Sequence, residues 1–249
     1  MGAKTAMLAY ADGDIRPALR NPTPCTVDEA EGLVRRVHPE HQVAPETGST
    51  LYEGTYPPEE VGYATVLAGA ELLCDRRLTS HRPSELPERL RAFGAGRRIL
   101  LHGMHSMVDA LSFAVWEDGR LVRSLSLSPD DGIVENIGEP YDFELPYWAG
   151  DHPVRPAPGW PRQGPYPLPF HPLDLGEAAL RALFGFVLEG RPEPDDVDPD
   201  GVPLHGFRLT DPSGAEQAER ARLQDLVQLM RPPQRLRMGP DGRWHEIGG

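Results

Sequence analysis

The dipeptide Asp118-Gly119 lies between two runs that fit β-strands, ALSFAVWE at 110–117 and RLVRSLSL at 120–127. A two-residue hairpin turn needs positive φ angles, which aspartate and glycine tolerate, and this makes the dipeptide the strongest short-range hairpin signal. Leucines and serines alternate in the second arm, so one face of the hairpin packs and the other is semi-polar. The sequence therefore predicts a central β-hairpin over 110–127.

The rest of the chain predicts a sheet with helices packed on it. Short apolar runs that end at turn residues indicate strands; these are expected at 4–11, 61–67, 70–75, 98–103 and 204–209. Capping residues ahead of apolar stripes indicate helix starts; these are expected at Thr26, Ser84, Asp174 and near Gly214. Residues 45–60 are predicted to be a loop, and a small hairpin is expected around 239–242. The predicted class is α/β with an α+β tendency, built on a mixed sheet in a single domain over 1–249.

Residues 140–172 combine many prolines with many aromatic residues, with ten prolines in 33 positions. Proline at this density excludes helix interiors and central strands, while the aromatic content argues against a disordered linker. We expect an ordered, irregular segment that lies over one edge or face of the sheet. Aromatic rings offer stacking faces and histidines offer polar groups, so the segment could also bind a ligand or partner. The candidates for that role are Tyr147, Trp148, His152, Trp160 and His171.

The charge balance disfavours some partners. The chain has 38 acidic and 25 basic residues, a formal net charge of −13, and such a surface repels nucleic-acid phosphates and anionic membranes. Lys4 is the single lysine, so no lysine follows a glycine-rich phosphate loop, and the other basic residues are arginines. The N-terminus shows no signal peptide, and no apolar run approaches the length of a spanning helix. With two cysteines, which allow at most one disulfide, we expect a cytoplasmic protein with reduced thiols.

The sharpest cluster of chemical groups is His102, His105 and Asp109, in the stretch HGMHSMVD. Imidazoles and a carboxylate are good ligands for zinc or iron(II), and two histidines with one carboxylate can leave coordination positions open. His105 with Ser106 could instead form half of an acid–base or nucleophile pair. The alternative without a functional role is that both histidines form hydrogen bonds with the backbone at the end of a strand and that Asp109 caps a turn. The direction in which the three side chains point depends on the loop that follows the predicted strand.

Two acidic stretches offer weaker metal sites. Asp12 and Asp14 follow the first strand, as in phosphatases that place a nucleophile and Mg²⁺ there, but the downstream lysine of that pattern is absent. A calcium loop is half matched near residue 200, where Phe207 stands in place of the bidentate acid. A plain turn and a solvated loop are the simpler interpretations of the two stretches. The calcium candidates are Asp196, Asp198 and Asp200.

Several stretches resemble an uncharacterised family of actinobacterial proteins, known as a domain of unknown function. They include MGAKTAMLAYADGD, HGMHSMVD, AVWEDGRLVRSLSLSPDDG, GEPYDFELPYWAGDHPV and DVDPDGVPLHGF, and the resemblance covers about residues 1–209. It implies an actinobacterial source, in agreement with the arginine bias, but no activity and no catalytic residues. Residues 210–249 look like a variable C-terminal helix and tail.

Two functions from different classes follow. We favour a cytoplasmic, non-catalytic binding or regulatory protein that takes a protein or small-molecule partner, because no complete catalytic motif is present. The alternative is a metal-dependent hydrolase centred on His102, His105 and Asp109, which would need a divalent metal as cofactor. Neither hypothesis includes nucleic acid or a membrane as a partner.

Overall fold

The computed structural model describes residues 2–155, 165–229, 236–238 and 244–246. The chain forms two compact units, Met1–Thr210 and Asp211–Gly249, which we describe separately. The helices within the described ranges fall short of the length and apolar character that a membrane crossing requires.

The first unit is built on a nine-stranded sheet in the order β2-β9-β3-β4-β1-β5-β6-β7-β8. All of its strand pairings are antiparallel, so the α+β tendency is confirmed and the expected mixed sheet is an antiparallel one. The strands are β1 (Lys4–Ala11), β2 (Gln42–Thr50), β3 (Val61–Leu67), β4 (Ala70–Cys74), β5 (Arg98–His105), β6 (Ala110–Glu117), β7 (Arg120–Ser128), β8 (Gly132–Ile137) and β9 (Pro203–Thr210).

Six helices accompany this sheet. Thr26 caps the second with a capping box, because its hydroxyl accepts from the amide of Glu29 and the Glu29 carboxylate accepts from the amide of Thr26. The helices are α1 (Arg16–Arg20), α2 (Val27–Val37), α3 (Leu51–Gly54), α4 (Glu88–Phe93), α5 (Leu145–Trp148) and α6 (Pro172–Phe184).

Both faces of the sheet are covered, which gives the unit two apolar cores. On the first face, which we call the α6 face, α6 and the aromatic residues of 141–148 and 166–170 pack on alternate residues of β1, β5, β6 and β7. On the opposite face, the α2 face, α2, α4 and leucines of the 78–86 segment pack on the intervening residues. Side chains along a strand point alternately to the two faces of the sheet, so neighbouring residues of one strand join different cores.

The predicted hairpin is confirmed as β6 and β7. Its turn residues have φ angles of +50° at Asp118 and +75° at Gly119, in the left-handed region that the turn requires. Leu125 and Leu127 of β7 enter the α6-face core, Leu121 packs against the α2-face core, and Ser124 and Ser126 point to the α2 face. A buried ion pair between Arg123 and Glu144 links the hairpin to the segment that follows β8.

Several boundaries differ from the sequence predictions. The helix expected from Ser84 begins at Glu88, because Pro83–Glu85 form a separate 3₁₀ turn ahead of it. Residues 42–50, largely predicted to be loop, form β2, an edge strand whose exposed polar residues and Pro45 give no apolar alternation. β8 was not predicted either, because its buried and exposed residues do not alternate regularly and its sequence therefore lacks the strand pattern. α6 begins at Pro172 rather than after Asp174, since His171 caps it through Nδ1, and it ends at Phe184 because Gly185 adopts a φ of +84°.

The second unit contains α7 (Ala215–Leu229) and a small antiparallel pair, β10 (Leu236–Met238) and β11 (Trp244–Glu246). Ahead of α7, Asp211 accepts hydrogen bonds from the Ser213 hydroxyl and from the amides of Glu216 and Ser213. These bonds, the hydroxyl's above all, lower the pKa of Asp211 to about 2. The residues of the predicted turn at 239–242 lie outside the described part of the chain.

Candidate functional site

A cavity of about 210 Å³ opens at the end of the sheet where β5 and β7 end and β6 begins. The segment that follows β4 covers it on the α2 face. Its walls are Tyr56, residues 79–81, 103–105, 110–112 and 126–128, with Val108, Asp131 and Val134.

Serine hydroxyls give the cavity a polar floor. Gly103, Ser112 and Ser126 are cross-strand neighbours on β5, β6 and β7, so their side-chain positions lie in one row on the α2 face. A Cβ atom at Gly103 would lie 2.7 Å from Ser112 Oγ, so glycine leaves the room that this hydroxyl occupies. Among the described residues, neither Ser112 nor Ser126 has a hydrogen-bond partner for its hydroxyl, and neither oxygen is sealed from solvent. Both hydroxyls are therefore free for a ligand.

Tyr56 stands at the β5 side of the cavity and is surrounded by cationic groups. The Arg76 guanidinium lies 4.3 Å from the centre of its ring and Lys4 Nζ lies 5.6 Å from it. His105, at the end of β5, meets the same ring edge-on with centroids 5.5 Å apart. Burial lowers the pKa of His105, and the positive charges of Lys4 and Arg76 lower it further, so its imidazole is neutral at pH 7.

His102 faces the opposite core. Its Nε2 lies 3.1 Å from the carbonyl oxygen of Gly176 in α6, which can only accept, so Nε2 carries the proton. Its Nδ1 lies 2.7 Å from Thr5 Oγ1 and accepts from that hydroxyl. Both ring nitrogens are thus occupied, and burial lowers the pKa of His102 to about 4.

Asp109 occupies the turn between β5 and β6 with a φ of +47°. Its Oδ2 lies 3.5 Å from Nε2 of His171, the cap of α6, and the Tyr166 ring stacks on that imidazole at 5.7 Å. Burial, with the negative charges of Asp109 and Asp174, raises the pKa of Tyr166 to about 12. The structure therefore brings Asp109 together with His171, not with His102 or His105.

The three predicted metal ligands do not converge. β5 extends to His105, two residues beyond the predicted end, so His102 and His105 alternate onto opposite faces of one strand. Among the residues that the structure describes, no group of three or more His, Cys, Asp or Glu side chains could hold a metal ion.

The other acidic candidates are engaged locally. Asp12 Oδ1 accepts from Arg97 Nε at 2.9 Å, and Asp14 accepts from Arg16. At the predicted calcium loop the three carboxylates are divided among different partners. Asp196 pairs with Arg181, Asp198 caps the turn at Pro199–Gly201, and Asp200 accepts from Thr50.

The aromatic candidates pack against one another on the α6 face. Phe170 meets the rings of Tyr147 and Trp148 edge-on, with centroids 5.5 and 4.9 Å apart. His152 stacks on Tyr147 at 4.2 Å, and the Tyr147 hydroxyl donates to the carbonyl of Asp174. These contacts hold the segment on the core, and partner binding by these rings stays a prediction. Trp160 lies outside the described residues.

The sequence predictions missed most of the cavity. Tyr56 lies within the stretch 45–60 that was predicted to be loop, and Arg76 follows β4 without any pattern around it. Two signals were available in the sequence: the alternating serines of β7, and the fact that Lys4 is the single lysine of the chain. They could be joined to His105 only by knowing that β1 and β5 are neighbours, with Lys4 opposite His105 in the register.

Comparison with protein families matches residues 5–207 to a family of unknown function (DUF6928). The match includes every residue that lines the cavity and the whole sheet apart from Lys4 and the last three residues of β9. No curated protein and no solved structure matches the chain.

Proposed function

We propose that this chain, which belongs to the DUF6928 family of unknown function, is a non-catalytic binding protein for a small molecule held in the cavity beside His105. The observation that carries the proposal is the pair of hydroxyls, Ser112 and Ser126, that face this cavity and have no hydrogen-bond partner among the residues that the structure describes. Ligand sites combine apolar walls with a few polar groups that fix orientation, and this cavity has both. Its volume of about 210 Å³ lies below the usual range of drug-sized pockets, which favours a small ligand.

The binding proposal can be tested by blocking the cavity. A ligand present at about 100 times its Kd stabilises a protein by roughly 2.7 kcal/mol, which raises the Tm of a chain of this size by roughly 5 °C or more. We expect at least one of acetate, inorganic phosphate, glycine and ribose to raise the Tm of the wild type. In Ser126→Leu, which fills the cavity from β7, the shift disappears.

The matched control is Thr210→Leu, which makes a similar hydroxyl-to-leucine change at an exposed position of β9. This variant keeps the wild-type response. The proposal fails if none of the four probes shifts the wild type, or if Ser126→Leu responds as the wild type does.

The metal-dependent hydrolase has less support. A metal at His102 would need a lone pair on a nitrogen that already bonds Thr5 or Gly176, and His105 lies on the other face. We expect added zinc to raise the Tm of the wild type and of His102→Gln by the same amount, because His102 is not a ligand. Differential scanning fluorimetry with and without zinc measures this, and a zinc-dependent shift that only the wild type shows would restore the hydrolase.

Source and compartment are also proposals. The arginine bias supports an actinobacterial origin. The two cysteines are unpaired in the structure, and burial raises the pKa of the Cys74 thiol, so that thiol stays protonated. Free thiols are typical of a reducing compartment and support a cytoplasmic location.

A further inference from the structure

The cationic groups around Tyr56 are unusual for this chain because, within the described part of the structure, no carboxylate forms an ion pair with them. In the described ranges, Lys4 and Arg76 form no ion pair, although the chain as a whole carries a net charge of −13. Asp75, the residue before Arg76, is already occupied by Arg77 and His38. Two positive charges therefore face the same aromatic ring, and the described residues supply no counter-ion for them.

Arg76 is also short of a hydrogen-bond acceptor. Its Nε is buried and has no partner among the described residues, while its Cζ lies over the Tyr56 ring. A buried donor without an acceptor is costly, and such a group usually marks a missing ligand, ion or water. Arginine presents further N–H groups in a fixed fork that matches carboxylate and phosphate oxygens.

The two ends of the cavity differ in charge. Tyr56 and His105 line the β5 side, where Lys4 and Arg76 supply positive charge. Asp131 lines the other side, across β6 and β7, where its carboxylate accepts from Ser128 Oγ at 2.9 Å. Two strand spacings separate these sides by about 10 Å. A negative group on a ligand is therefore attracted to the β5 side and repelled from the Asp131 side.

We propose that the ligand of this cavity is a small anion whose carboxylate or phosphoryl group is bound by Lys4, Arg76 and His105 beside Tyr56. The inference rests on the proposed binding function and specifies the chemical class of its ligand. The charged groups of Lys4 and Arg76 attract the anion, and His105 donates a ring N–H to it. Ser112 and Ser126 then bond the remainder of the ligand along the floor of the cavity.

The test uses the full chain with inorganic phosphate and acetate as separate probes, so that phosphoryl and carboxylate recognition are distinguished. Binding is followed by the imidazole NMR signals of His105, which are assigned by their loss in His105→Gln. We expect a saturable change in these signals with at least one probe at constant ionic strength. In Lys4→Gln and Arg76→Gln, Kd rises by roughly tenfold or more, because one charge-assisted hydrogen bond is lost.

Two controls separate site binding from general charge. Arg35→Gln removes one positive charge from an exposed i,i+4 pair with Glu31 on α2, and its Kd should equal that of the wild type. Lys4→Arg retains the charge and should bind within a fewfold of the wild type. If Lys4→Gln or Arg76→Gln failed to fold, the Kd values of Lys4→Arg and Arg35→Gln would still be compared with that of the wild type. An unchanged His105 signal in the wild type with both anions would refute the inference.

The inference and the proposed function fail in different ways. Saturable binding that Arg35→Gln weakens as much as Lys4→Gln does would overturn the anion site. If neither anion alters His105 but ribose raises the Tm of the wild type and not of Ser126→Leu, the anion class is wrong and the cavity still binds a ligand. If no probe distinguishes Ser126→Leu from the wild type, the binding function itself is refuted.

Discussion

Replacing Glu144 by glutamine should destabilise the protein by about 3–5 kcal/mol, because it leaves a buried arginine without its counter-charge. Arg123 and Glu144 are both completely buried, and two hydrogen bonds of 2.8 and 2.5 Å join the guanidinium to the carboxylate. Arg123 also donates to Asn136 Oδ1 and to the carbonyls of Ile137 and Gly138. The carboxylate accepts from the amide of Tyr141, so the pair fastens the start of the aromatic segment to the hairpin.

The measurement is urea unfolding of the wild type, Glu144→Gln, Arg123→Met and the double variant Arg123→Met/Glu144→Leu. The double variant should lose less stability than the two single losses added together, because it leaves no unpaired buried charge. The matched control is Arg35→Met, which breaks the exposed pair with Glu31 and should cost less than about 1 kcal/mol. Equal losses at the buried and exposed pairs would contradict the assigned role.

Acidification should destabilise the protein through His102 by about 3 kcal/mol between pH 6.5 and pH 4. The pKa of His102 falls from the ordinary value of 6.5 in the unfolded chain to about 4 in the folded protein, because its ring is fully buried. Between these two values the unfolded state binds more protons, so stability is fully present above pH 6.5 and decreases as the pH falls.

Urea unfolding at pH 7 and pH 4.5 measures this contribution in the wild type and in His102→Gln. The difference between the two pH dependences removes the effect of every other titrating group that the variants share. The matched control is His81→Gln, since the side chain of His81 is 81% exposed, and it should keep the wild-type pH dependence. Parallel stability curves for the wild type and His102→Gln would show that His102 is not held neutral by burial.

The comparison of sequence and structure shows where local patterns are sufficient. The hairpin and the Thr26 capping box depend on residues close in sequence, and both were predicted correctly. The predicted end of β5 at residue 103 was two residues early, and this changed the chemistry. A strand that continues to His105 turns two neighbouring histidines to opposite faces, whereas a loop could have brought them together.

The cavity could not be predicted from the sequence because its parts come from distant segments. Lys4, Tyr56, Arg76 and His105 span about the first hundred residues and meet only because β1 lies between β4 and β5. The order of strands in an antiparallel sheet depends on which connections pass over which strands. Neither apolar alternation nor turn residues reveal the order of the strands. The sequence therefore did not show that Arg76 lies next to Tyr56 and His105.

The central place of β1 also sets a time limit on the assembly of the sheet. Its two neighbours, Ala70–Cys74 and Arg98–His105, are synthesised well after it. At a ribosomal rate of about 5–20 residues per second, the second neighbour is completed roughly 5–20 s later. A nascent chain in this interval presents an apolar strand with open edges, which is a template for pairing with other chains. The period of greatest aggregation risk should therefore end with the synthesis of β5, which covers the second edge of β1.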